Sequence, residues 1–162
     1  MADIDGMCAQ LDKAFRGPAW HGPSLLEALS GVSAVQAAAR PLASAHTIAE
    51  IANHARAWKA IVRRRVLGEP VADVPTEQDW PPPDGVGPAA WETAQTLLEQ
   101  EHLRLMSALA NLPEPALDLA VGDDSAADVL RGSILHDVYH AGQVMLLRRE
   151  LESSQASQAP TV

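Results

Sequence analysis

Apolar side chains recur along most of this chain at helical spacing, with no stretch of the strict alternation that marks a half-buried strand. Ile4, Met7, Cys8, Leu11, Ala14 and Phe15 fall on one face and stop at Arg16-Gly17-Pro18, which predicts a first helix over 4–15. Thr47 stands at capping-box spacing before Glu50, and Ile48, Ile51, Ala55, Trp58, Ile61 and Val62 then share one face until Leu67-Gly68. That is the second helix. A third runs over 89–112 through Trp91, Ala94, Leu98, Leu105 and Leu109 and halts at Pro113. A fourth opens at Asp124 or Ser125 and passes through Val129, Ser133, His136, His140, Val144 and Leu147 to Leu151.

Between the first two helices the chain is broken at Gly22-Pro23, Gly31 and Pro41, while Ser24 and Ser33 can each cap a short helical turn. It reads as a structured connection. Residues 69–88 hold six prolines, so neither a helix nor a central strand is expected to continue there. A loop of about 20 residues reaches ~60 Å when extended, against ~30 Å for a 20-residue helix. The second and third helices can therefore run parallel through an overhand crossover. The fold class expected is all-α, a four-helix bundle of one domain over 1–151, followed by a Ser/Gln-rich tail over 152–162 expected to be disordered.

Composition agrees with helices: 47% of the residues are hydrophobic, yet there is one Phe and one Tyr, and the apolar mass is mostly Ala, Leu and Val. A formal net charge of -9 argues against nucleic acid as a partner, because the averaged surface potential repels phosphate. The dense basic run Arg63-Arg64-Arg65 reads as a solvated helix flank. The single cysteine, Cys8, lies among Asp3, Asp5 and Asp12, a poor setting for a reactive thiolate, and excludes an internal disulfide. No stretch approaches the ~20 apolar residues of a membrane span, and the first residues carry acids rather than a basic region. A cytoplasmic protein with no membrane partner is the expectation.

Candidate chemistry lies in the histidines, six in all. At about 100° per residue His136 and His140 are about 40° apart, and the apolar stripe of the fourth helix centres beside them. His54 lies within about 50° of the centre of the second helix's stripe by the same construction. All three point inward. Surrounded by Ala, Leu and Val, their rings either find hydrogen-bond partners in the core or share a metal ion. Histidines at i and i+4 suit one ion, and three neutral imidazoles leave coordination positions open, as catalytic sites do. Position 137 is Asp rather than the Glu of the zinc-protease H-E-x-x-H motif. Asp137 and Tyr139 flank the histidine stripe, and Gln143 falls on it one turn beyond His140. These are the candidates for orienting a bound nucleophile. His21, in a turn, can reach the bundle mouth; His46 and His102 read as a capping neighbour and a boundary packing residue.

The run His54-Ala55-Arg56-Ala57-Trp58, the string Ile134 to Gln143 with its H-D-x-Y-H-x-G-Q pattern, and Trp20-His21-Gly22-Pro23-Ser24-Leu25 together resemble the DinB-like / YfiT-like metalloenzyme family. That family is distinct from the translesion polymerase sharing the DinB name. The resemblance, which covers the chain to about Glu150, implies an up-down-down-up bundle, a divalent metal held by His54, His136 and His140, and a homodimer. Zn²⁺, Ni²⁺ and Fe²⁺ all suit imidazole ligation. Two functions remain open: an enzyme that activates water or a low-molecular-weight thiol against a small-molecule electrophile, by thiol transfer or hydrolysis, in detoxification or stress response, or a metal-binding bundle with no turnover.

Overall fold

The computed structural model describes residues 3–70 and 73–158. Side-chain caps start several of the helices. Helix α1 (Ile4–Arg16) opens on Asp3, whose carboxylate accepts from the Gly6 N–H, and ends at Gly17, where φ is 79°. The positive φ requires glycine there, and a Cβ at Gly17 would also crowd the Glu27 carboxylate at 2.5 Å. The connection expected to be structured forms two short helices, α2 (Leu25–Leu29) and α3 (Ala34–Ala38). Each begins with a capping box, Ser24 with Glu27 and Ser33 with Gln36. Thr47 and Glu50 form the third box and start α4 (Ile48–Val66).

Three local features differ from the sequence reading. The proline-rich loop contains one helical turn, α5 (Thr76–Asp79), with Pro75 as its N-cap and Pro81-Pro82-Pro83 beyond its end. Proline is tolerated at a helix start and forbids continuation, so the prolines bracket the turn instead of abolishing it. After α6 (Pro88–Ala110), a 3-10 turn over Glu114–Asp118 leads into a two-residue hairpin, β1 (Ala120–Val121) against β2 (Asp124–Ser125). Gly122, with φ of 66°, makes that reversal. Helix α7 (Ala126–Gln158) then continues past Leu151, because no Gly or Pro intervenes before Pro160. Of the tail expected to be disordered, 152–158 is helical and 159–162 lies outside the described residues.

Two apolar clusters set the helix directions. In one, Phe15 from α1 meets Ile51 and Ala55 from α4, Trp91 and Leu98 from α6, and Ala141, Val144 and Leu147 from α7. In the other, Met7 and Leu11 meet Val62 and Val66, Leu105 and Leu109, and Leu130. The start of α4 and the start of α6 thus share an end with the finish of α1 and the later turns of α7. Helices α1 and α7 run one way and α4 and α6 the other, and the long loop carrying α5 makes the crossover. Burying one such Leu contributes about 1.5–3 kcal/mol. Among the described residues no helix is long and apolar enough to cross a membrane.

Between the apolar clusters lies a polar layer to which each long helix contributes. Lys59 of α4 and Asp137 of α7 form an ion pair at 2.6 Å, with side chains only 2% and 1% exposed. The Lys59 ammonium sits 4.4 Å from the centroid of the Phe15 ring, and that ring stacks on His102 of α6 at 4.0 Å. His102 Nε2 meets Asp12 Oδ1 of α1 at 3.2 Å. Burial pushes the Asp137 carboxyl above its usual range and Lys59 opposes that shift.

Candidate metal centre

The centre is built on adjoining turns of α4 and α7, just on one side of that layer. His54 enters from α4, while His136 and His140 stand one turn apart on α7. Their Nε2 atoms converge: His54 to His136 is 2.9 Å and His140 to His136 is 3.1 Å. One ligand atom from each of the three rings lies within 4.8 Å of the others, and His54 and His140 are buried. The inward angle of all three rings was readable from the sequence.

The opposite ring nitrogens fix the tautomers. His54 Nδ1 donates to the Asp79 backbone carbonyl at 2.6 Å, and His140 Nδ1 donates to Gln143 Oε1 at 2.7 Å. Both acceptors are oxygens that cannot donate in return, so the Nε2 atoms of His54 and His140 carry lone pairs. His136 Nε2 faces both of them and can supply at most one proton. A single N–H can be aimed squarely at only one of the two lone pairs, and without it both contacts set lone pair against lone pair, so at least one contact lacks an aligned hydrogen bond, a deficit that a cation between the nitrogens removes. At Zn–N distances of about 2.0–2.1 Å, tetrahedral ligation separates nitrogens by ~3.3 Å, close to the two spacings from His136. Burial lowers the proton affinity of each ring: His136 is held down at about 3, His140 at about 4, and His54 below its ordinary value. All three are neutral imidazoles at pH 7, the form that binds metal.

The crossover loop completes the centre, and here sequence reasoning missed residues. Asp79 on α5 supplies the carbonyl for His54 and also takes the Trp58 indole N–H on Oδ1 at 2.6 Å. Trp80 stacks between His54, at 3.7 Å, and His46, at 3.6 Å. A Trp in a proline-rich loop was the available signal, since such a side chain must pack on something. Lys59 was missed as well, although it repeats at i+4 from Ala55 and three before Val62, on the apolar face.

Of the candidates for orienting a nucleophile, Gln143 reaches a ligand directly. Asp137 turns instead to Lys59, and Tyr139 is 63% exposed with its ring edge-on to His140 at 5.1 Å. His102 is fully buried rather than a boundary residue, and belongs to the polar layer. His46 packs on Trp80, and the exposed His21 borders a separate hollow with Trp20 and Leu135. A cavity of about 280 Å³ opens beside His136, with Trp58, Val62, Val129 and Ser133 among its walls.

The chain is a helical bundle carrying three convergent imidazoles, two of them partnered on their outer nitrogens. The family model of the DinB superfamily matches residues 19–144, which include all three histidines, and the chain belongs to that superfamily. No curated protein and no solved structure matches the chain.

Proposed function

We propose that this protein is a metal-dependent enzyme in which His54, His136 and His140 hold one divalent transition ion, Zn²⁺, Ni²⁺ or Fe²⁺. The observation that carries this reading is the facing of two lone-pair nitrogens onto a third, with both outer rings held by Asp79 and Gln143. When bound, such an ion supplies Lewis acidity that makes water or a low-molecular-weight thiol nucleophilic at neutral pH, for hydrolysis or thiol transfer to a small electrophile.

The chain's own residues do the rest. The Asp79 carbonyl and the Gln143 amide oxygen hold the Nδ1 protons of their rings, which keeps each Nε2 a donor of electrons. Trp80 shields one face of His54 from water. The cavity beside His136 admits the reactants. A protein thiol is not part of this scheme: burial and the charge of Asp5 raise the Cys8 thiol above its ordinary value, which disfavours the thiolate.

The test is metal content by mass spectrometry on protein purified without an affinity tag, wild type beside the His136→Ala/His140→Ala double variant. Near one equivalent in the wild type, lost in the variant, supports the site and is followed by assays for thiol transfer and hydrolysis. A wild type that takes up no metal even after reconstitution overturns it. A second reading, metal binding without turnover, is favoured by the placing of the ligands on two antiparallel helices, which an ion would tie together. It prevails if metal raises the melting temperature while every assay of the loaded protein stays silent.

A further inference from the structure

The three consecutive arginines of α4 are not equivalent. Arg63 pairs with Glu101 at 2.8 Å and Arg64 with Glu69 at 2.7 Å. Arg65 has no ion-pair partner among the described residues, and it is half-buried along the wall of the cavity beside His136. Its guanidinium is held over the Trp58 ring, 5.6 Å from the centroid. A cation held near the face of an indole keeps its N–H donors, which remain available to a ligand. Trp58 in turn is fixed by its bond to Asp79, and its ring lies 5.9 Å from that of His136.

The remaining walls are mostly apolar, Val62 from α4 and Val129 and Gly132 from α7, with Ser133 of α7 beside them. Two carboxylates sit at the exposed rim. Asp128 is already engaged by the Ser125 hydroxyl at 2.6 Å and Arg131 at 2.7 Å, while Asp124 is not so paired. A partly desolvated cation without a partner, at one end of an apolar hollow whose other end is a ligand ring, fits an amphiphile with one acidic group. At about 280 Å³ the hollow suits a small molecule rather than a peptide or a nucleotide polymer.

We infer that the cavity between α4 and α7 binds a small organic carboxylate, with Arg65 taking the acid group and the apolar stem directed toward His136. The inference rests on the metal-centre reading for its meaning in catalysis, but the anion preference is measurable without it. Arg65 sets which substrates are accepted, and Asp124 at the rim counts against highly charged anions. The carboxylate forms charge-assisted hydrogen bonds to the guanidinium that a neutral isostere cannot reproduce.

Ligand-observed NMR titrations of hexanoate and 1-hexanol test this on metal-free and zinc-loaded full-length protein. The wild type is expected to bind hexanoate about tenfold more tightly than 1-hexanol, the ratio expected for one such contact at a half-buried site. Arg65→Gln should abolish the ratio while leaving 1-hexanol binding and the melting temperature unchanged. Arg65→Lys should keep part of it, and Asp124→Asn should enlarge it. Equal affinities in the wild type, or a ratio that survives Arg65→Gln, overturns the inference. The zinc arm separates the two failures: a preference that persists in a chain unable to retain zinc sinks the metal reading alone, and zinc retained with no preference sinks the anion site alone.

Discussion

Two groups of buried polar side chains lie on neighbouring turns of the same two helices, and they solve burial in opposite ways. The Lys59–Asp137 pair is complete: charges of opposite sign meet at 2.6 Å, and Phe15 closes over the ammonium. In the His54, His136 and His140 cluster the two outer rings are backed by Asp79 and Gln143, yet inwardly the cluster leaves nitrogens facing nitrogens. A cluster that satisfies itself reads as architecture; one whose backed rings leave their other nitrogens aimed at a common point reads as a socket.

The sharpest way to break that contrast is to unbalance the pair. Asp137→Asn leaves Lys59 charged and buried without a counter-ion and should cost about 3–5 kcal/mol in urea denaturation. The double variant Lys59→Met/Asp137→Leu should recover most of that loss; single and double variants of equal stability would show that the pair is not the self-contained unit described.

Acid should distinguish the two groups next. Burial holds His136 at about 3 and His140 at about 4, whereas an unfolded histidine titrates near 6.5. The unfolded chain therefore takes up protons first as pH falls. Stability of the metal-free protein should hold above about pH 6.5 and then decline toward pH 4, by up to about 1.4 kcal/mol per pH unit for each such ring. Denaturation midpoints at stepped pH values read this directly, and a midpoint that rises on acidification would contradict the burial of the rings.

Adding metal should move only the socket. Zinc at about a hundred times its dissociation constant should stabilise the wild type by about 2.7 kcal/mol, and His54→Ala should show none of that gain in paired melts. Smaller again is the effect of the supporting amide: Gln143→Leu frees the His140 ring and should weaken zinc binding about 10–100-fold in competition with a chromophoric chelator. Unchanged affinity would mean that Gln143 does not hold the ring.

Much of this was legible in the chain because it follows from local periodicity. The four long helices, the caps at Ser24, Ser33 and Thr47, and the inward aim of the three histidines all depend on spacing along one element. What escaped depends on partners distant in sequence. His102 stands near a stripe edge by angle, and only the approach of Asp12 and Phe15 from α1 makes it a core residue. Asp137 and Tyr139 flank the histidines at similar angles, but one faces Lys59 and the other solvent, a difference set by which neighbour lies on each side. Asp79 and Trp80 arrive from a loop that has no period to read.

Trp80 gives that loop a kinetic consequence. Its indole is wedged between two imidazoles, and the preceding residue holds the same His54 ring by its carbonyl. While the wedge is in place His54 is held, so an ion bound as proposed above would keep this ligand until the crossover segment lifts. Escape then becomes a gated, unimolecular event: in stopped-flow exchange its rate should plateau as chelator concentration rises, at a ceiling set by the opening of the loop rather than by the strength of any competitor.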